Sequence, residues 1–394
     1  MTTKSRRNCG FSLVELLIAM VVTLIIMTAG MMMFKKSADA IFIVAQKAEM
    51  QSNARVGVNS IVRDLSRAGS GGMTHGGIAL PNTTAIYAPP FAGAPFNNVP
   101  NITGNTFSQG TLYMVTPGWK AGPTINGKNT DAVTVTYLDP DLDLTLDPTP
   151  SPTGGSISAN GDTVTLDPTT CTAACVAALN DPGTGVKVGD VFMLTNTKGT
   201  VAASVSAFTA GGITIAFAAG DPLGMNDPNT TGASGSIASL GTTCAPVGGP
   251  GCPTGRNYPL VTLSRIFMIS YYIEQLAADG TPLGVAVAGA TDYRLMRQVN
   301  AQAPVPVAEH VVGLLFSYDL SDANPGGTNS PDGKIKIAGV DTLVYSEIRN
   351  VYVSVTTRSN RQDQKGNYAY TTMATNVSPR NLSFFNQFPQ STGP

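Results

Sequence analysis

The stretch Phe11–Phe34, FSLVELLIAMVVTLIIMTAGMMMF, decides how the rest of this chain is read. It is apolar apart from Ser12, Thr23, Thr28 and a single charge, Glu15. As a helix rising about 1.5 Å per residue it is roughly 36 Å long, enough to cross a hydrocarbon core of ~30 Å. A carboxylate one turn inside such a segment is expensive and marks a functional residue by default. The ten residues before it, MTTKSRRNCG, are basic through Lys4, Arg6 and Arg7 and end in Gly10. A secretory signal peptide would have a shorter apolar core and a small-residue cleavage site after it. An ordinary single-span anchor, with a cytoplasmic basic end by the positive-inside rule, explains the hydrophobicity but gives no reason for Glu15 or for Gly10-Phe11. Cys9 precedes the apolar run, which argues against a lipid attachment site.

The string Gly10-Phe11-Ser12-Leu13-Val14-Glu15-Leu16-Leu17 resembles the class III leader of type IV prepilins, shared by type IV pilins and type II secretion pseudopilins. The resemblance implies that a membrane-embedded prepilin peptidase cuts between Gly10 and Phe11 and methylates the new amine of Phe11. It also implies that Glu15, then fifth in the mature chain, neutralises the charged N-terminus of an adjoining subunit during filament assembly. The physics agrees, because opposite charges in lipid are far cheaper together than apart.

The 394 residues suffice for one or two domains with a real core,. Only 12% are charged, and 42 glycines and 27 prolines point to β-rich structure with long loops or to an exported surface. Removing Lys4, Arg6 and Arg7 with a leader takes the net charge from −1 to −4, so nothing global draws the mature chain to nucleic acid,. Of five cysteines, Cys9 would leave with the leader. Cys171, Cys175, Cys244 and Cys252 then form an even set that an exported chain oxidises to two disulfides, with three pairings open,. Pairing by proximity would close two small loops, Cys171–Cys175 and Cys244–Cys252. A zinc site is the competing reading, but CTAAC and CAPVGGPGC lack the short CxxC form, and only His75 and His310 could add imidazoles,.

Beyond Lys35-Lys36 the pattern becomes amphipathic. Ile41, Val44, Ala45 and Ala48, then Val58, Ile61, Val62 and Leu65, follow helical spacing, with no proline before Pro81,. One helix is therefore expected from Phe11 to about Ala68, with Gly69 as the stop and Gly30 and Gly57 as soft points. Alternating, β-branched or aromatic runs predict strands at Thr111–Thr116, Asp131–Leu138, Asp162–Leu166, Asp190–Thr195, Val201–Phe208, Ile213–Phe217, Leu260–Tyr272 and Tyr293–Gln298,. Ser70–Gly110 reads as loop, Asp139–Gly155 as a turn-rich connector, and residues 218–256 as the least structured part.

The stretch Ile61–Gly69, ending Asp64-Leu65-Ser66-Arg67-Ala68-Gly69, resembles the PilW group of minor pilins. So does Val307–Asp319 (VAEHVVGLLFSYD) followed by Glu347–Arg358 (EIRNVYVSVTTR) and a basic, aromatic end. The resemblance covers the helix and Leu260–Leu382 well and the middle of the chain poorly.

The remaining chemistry is sparse. Asp139, Asp141, Asp143 and Asp147, and again Asp319, Asp322 and Asn324, suggest calcium loops without the glycine and glutamate of an EF-hand,. No metal or other cofactor is expected. His75 and His310 have no nucleophile elbow to serve, and no glycine loop cradles a phosphate, so nothing argues for an enzyme. Arg349, Arg358 and Arg361 read as solvated strand faces, and Tyr368, Tyr370, Phe384, Phe385 and Phe388 as a final strand and a tail covering the helix.

The expected fold is α+β, a type IV pilin-like long N-terminal helix packed on an antiparallel β-rich head. Residues 1–10 are a leader, 11–34 a transmembrane half-helix and 35–69 its amphipathic half. A β-rich head with a loop-rich insertion follows at 70–256, and a C-terminal sheet region at 257–394. The resemblance implies a minor pilin that primes type IV pilus assembly, a non-enzyme in the inner membrane with a periplasmic head that ends at the pilus tip. Its partners would be the prepilin peptidase, other minor pilins, the major pilin and the assembly platform. Two alternatives remain: a type II secretion minor pseudopilin, or a tip adhesin whose 70–256 insertion binds a surface, a glycan or DNA.

Overall fold

A computed structural model of the chain describes residues 12–71, 77–80, 111–145, 157–158, 161–166, 171–208, 212–226, 235–243, 256–258, 261–277, 279–283, 292–320, 328–329, 333–337, 340–343, 345–363 and 366–379. Helix α1 runs Leu13–Leu65, 53 residues or about 80 Å,. Thr23 and Thr28 stay compatible with an apolar helix because their hydroxyls donate to the carbonyls of Ala19 and Leu24, both at 2.7 Å,. The helix ends at a Ser66 cap. Its chain reversal places Gly69 at φ +70 and Gly71 at φ +91, a region glycine enters without strain,. That turn is stitched to the sheet: Gly69 N–H donates to Thr136 at 2.9 Å and Leu138 N–H to Ser70 at 3.1 Å.

Ten main strands build the head: β1 (Val115–Gly118), β2 (Ala132–Thr145), β3 (Val191–Asn196), β4 (Gly199–Ser204), β5 (Thr262–Leu276), β6 (Asp292–Val299), β7 (Val305–Glu309), β8 (Val311–Leu320), β9 (Ile348–Arg358) and β10 (Tyr370–Val377). Strand β5 is the axis. Its residues Thr262–Tyr271 pair with β2 on one edge. On the other edge, Thr262–Ile266 pair with β3 and Ile269–Leu276 with β6. These neighbours carry the sheet on through β1, β4 and β7, all antiparallel. A separate antiparallel sheet, β8-β9-β10, lies under α1.

Two cores result. The first surrounds the end of α1, where Ile61 and Leu65 meet Ile266, Leu295, Phe316 and Val355. Burying each such side chain is worth about 1.5–3 kcal/mol. The second lies around Phe192, Leu194, Phe217 and Leu263, closed by a short helix α2 (Ala173–Leu179) that the sequence reading did not anticipate.

Several expectations need correction. The connector expected from Asp139 does not begin there, because β2 continues to Thr145, with Leu142 entering the second core. The alternation in Leu138–Leu144 is a strand signal that the prolines and aspartates obscured. Thr111–Thr116 and Val201–Phe208 are each split, into Thr111–Leu112 with β1 and into β4 with Ala207–Phe208. Within 218–256, Asp221–Asn226 is a tight plug: the Asp221 carboxylate accepts from the N–H groups of Leu223, Met225 and Asn226. The amide of Asn226 meanwhile pairs with both backbone groups of Ser204. The expected amphipathic packing of Ile41, Val44, Ala45 and Ala48 is absent: no residue of α1 before Met50 is buried.

Candidate functional site

The N-terminus of α1 is closed by its own side chains. The Ser12 hydroxyl accepts from Val14 N–H at 3.4 Å, and the Glu15 carboxylate accepts from Ser12 N–H at 3.1 Å. Two donors that a helix start leaves open are thereby satisfied, and the acid sits at the positive end of the helix dipole,. Gly10 and Phe11, the expected processing residues, lie outside the described residues, as do His75, Cys244 and Cys252. From Leu13 to Phe34 the apolar side chains are exposed on every face of the helix, as are Ile41, Phe42, Ile43 and Val44 beyond Lys35-Lys36. Such a surface needs lipid or other subunits to cover it. It is the one helix among the described residues long and apolar enough to cross a membrane.

The other end of α1 is fastened. Asp64 is fully buried, and its Oδ2 accepts from the Tyr271 hydroxyl at 2.6 Å and from Arg297 Nε at 2.8 Å. Its Oδ1 accepts from the Tyr137 hydroxyl at 3.4 Å, and Ser60 Oγ lies 2.8 Å from Tyr271 Oη. Tyr271 and Arg297 face each other across β5 and β6, so one carboxylate ties the helix to the middle of the sheet. Burial, reinforced by the negative charge of Asp64, pushes the Tyr271 and Tyr137 phenols up, keeping both as neutral donors,. Removing either partner of such a buried pair strands the other. The sequence reading noticed the Asp64-Leu65-Ser66-Arg67-Ala68-Gly69 string but not this role. The available signal was a charge at the buried spacing of Ile61, Asp64 and Leu65.

Between bare and buried helix lies a polar collar. Thr357 donates to the Met50 carbonyl at 3.0 Å, Gln46 to the Arg361 carbonyl at 3.4 Å, and the Arg361 guanidinium stands 6.0 Å from the Phe42 ring centre. His310 joins β7 to β8 at φ +57, a left-handed backbone uncommon for a residue with a side chain,. Its Nδ1 is 2.8 Å from Asp292, which also takes Arg358 Nη2 at 3.2 Å. Arg358 is no solvated strand residue, contrary to expectation: it lies over the rings of Tyr368 and Tyr293, at 4.4 and 5.5 Å,. The hydrogen bond to Asp292 raises the His310 imidazole above its ordinary value against the pull of burial, and the Glu49 carboxylate on α1 adds to the rise. Burial works to raise the Asp292 carboxyl, but the His310 bond, the Tyr293 N–H and both cations hold it below its usual range.

Of two further expected sites, the first cysteine pair matches the expectation of pairing by proximity and the acidic run does not. Cys171 and Cys175 form a disulfide across the first turn of α2, with Cα atoms 5.0 Å apart,. Asp139 is committed to a buried ion pair with Arg265, at 2.5 Å, rather than to a calcium loop. Arg265 also donates to the carbonyls of Thr184 and Gly185. Residues 321–327, with the second acidic run, and Phe384, Phe385 and Phe388 lie outside the described residues.

The prokaryotic N-terminal methylation motif matches residues 5–31, a span that includes Gly10, Phe11 and Glu15. It supports a class III leader of the kind that type IV pilins and pseudopilins carry. No curated protein and no solved structure matches the chain.

Proposed function

We propose that this chain is a minor pilin of the PilW type, which primes type IV pilus assembly from the inner membrane and ends at the tip of the fibre. One observation carries the reading: a helix that bears the methylation motif at one end is bare of protein contact for most of its length and locked into a β-rich head at the other. In this reading Gly10 is the processing determinant and Phe11 becomes the methylated N-terminus. Glu15 exchanges its bond to Ser12 for the charged amine of a neighbouring subunit, which replaces a local cap by an ion pair in lipid. Other minor pilins, the major pilin and the assembly platform then cover the exposed apolar surface.

Intact-mass measurement of the membrane-extracted protein, with and without prepilin peptidase, tests the pathway. A chain starting at N-methylated Phe11 only when the peptidase is present is expected; an uncut chain in both strains would overturn it. Deletion then separates the two users of this leader. Loss of surface pili supports priming, whereas loss of protein export with normal piliation supports the pseudopilin reading.

A further inference from the structure

The outward face of the β8-β9-β10 sheet is not flat. Register places Leu315, Ser354 and Ala374 in one row and Ser317, Tyr352 and Asn376 in the next. The small side chains of Ser317, Ser354 and Ala374 leave a hollow between two large exposed ones, Leu315 and Tyr352, at 51% and 46% exposure. A wall stands over the hollow, made of Trp119, Lys120 and the hairpin of Thr124–Ile125 with Lys128–Asn129. Together they border an open cleft of about 830 Å³ with a largely apolar lining, a volume within the range of ligand sites.

The wall is held firmly. Asp131 N–H donates to the Leu314 carbonyl at 2.8 Å. The Asp131 carboxylate accepts from Lys120 N–H at 2.8 Å and Phe316 N–H at 2.9 Å, fixing wall to floor. Lys120 is thereby kept at φ +54, a left-handed backbone that costs a lysine about 1–2 kcal/mol,. The effect is to set its ammonium 4.0 Å from the ring centre of Trp119,. Lys128 adds a second cation at the same rim. Among the described residues neither lysine has a carboxylate within ion-pair distance.

We infer that this hollow binds an extended segment of a partner protein that alternates bulky apolar side chains with carboxylates. Successive residues of an extended chain point opposite ways, so alternate apolar side chains fill the floor between Leu315 and Tyr352 while the acids meet Lys120 and Lys128. Charge selects an acidic partner. The floor selects peptide over sugar, because each buried hydroxyl of a saccharide would need its own hydrogen-bond partner. The exposed lining is mainly apolar, the floor offering the hydroxyls of Ser317 and Ser354, and the Asn129 side-chain oxygen already accepts from Thr124 at 2.6 Å. The inference is independent of whether the chain serves a pilus or an export system.

Trp119 is the chain's only tryptophan, so its emission reports the site directly. The full chain in detergent would be titrated with the blocked hexapeptide Ser-Phe-Glu-Phe-Glu-Ser, with its glutamine analogue, and with oligogalacturonate as an acidic saccharide. A saturable shift with the glutamate peptide is expected. Binding should be at least about tenfold weaker for the glutamine analogue and for Lys120→Gln with Lys128→Gln. Ser354→Tyr, which fills the floor from an outward position without touching the cations, should abolish it. Far-UV circular dichroism melts of each variant show that the fold is intact. No saturable response, an equal response to both peptides, or a response to oligogalacturonate alone would each overturn the inference.

Discussion

Helix α1 is one element living in two environments. From Leu13 to Glu49 none of its residues is buried; from Met50 to Leu65 seven are, on a single stripe. The same hydrogen-bonded rod is held by different agents in each part. The bare part relies on helix propensity and on whatever apolar medium surrounds it, because apart from the collar contacts of Phe42 and Gln46 with Arg361 it has no packing against the head,. The buried part relies on close packing and on Asp64. Sequence changes should therefore be silent for head stability in one part and severe in the other.

The largest test is Asp64→Ala, which leaves Arg297 and Tyr271 without their shared acceptor and should lower head stability by about 3–5 kcal/mol in denaturant melts. An effect near zero would mean that packing alone holds the helix. Next come two glycines that differ only in setting. A Cβ at Gly57 would come within 3.0 Å of Leu295 Cδ2, whereas at Gly30 nothing lies within 4 Å. Gly57→Val should cost about 1–3 kcal/mol by overpacking, while Gly30→Ala should leave the melting temperature of the head unchanged and favour the bare helix by up to about 1 kcal/mol.

The collar between the two parts should respond to pH. Because folding raises the His310 imidazole, its stabilisation is complete below the unfolded value of about 6.5 and is lost as pH rises through the higher folded value,. Arg358 stays on Asp292 throughout, so the loss should be below about 1 kcal/mol,. It would be read as a melting temperature that falls as pH rises above about 6.5,. His310→Asn, which tolerates the left-handed backbone, should flatten that slope. The smallest expected effect is Val44→Ser on the bare surface, within about 0.5 kcal/mol for the head, although under the proposed function it should reduce assembly.

The first half of α1, to Phe34, was legible, because a long apolar run with one acid has few physical explanations. Strands with clean alternation, such as the first half of β2, expected at Asp131–Leu138, were legible for the same reason. Periodicity misled at Ile41–Ala48, where an apolar stripe faces outward. A pattern records that a face is apolar but not which surface covers it. Asp139 and Asp64 were misread or missed for a shared reason: their partners, Arg265, Arg297 and Tyr271, stand more than a hundred residues away. Lys120 and Leu315 likewise meet only through tertiary structure. Local sequence cannot display a site assembled that way.

The Asp64 junction also sets how the molecule bears load. A pull along the bare end of α1 travels down a stiff rod and arrives at Tyr271 and Arg297, register partners on neighbouring strands. Tension is thus handed to the interior of a sheet through several bonds strained side by side, rather than to a single loop that could peel away. The glycine turn that follows, tied to β2, lies beyond this anchor and is spared the strain. The helix would shed its head only after a buried ion pair, two phenolic bonds and the packing around Ile61 and Leu65 gave way together.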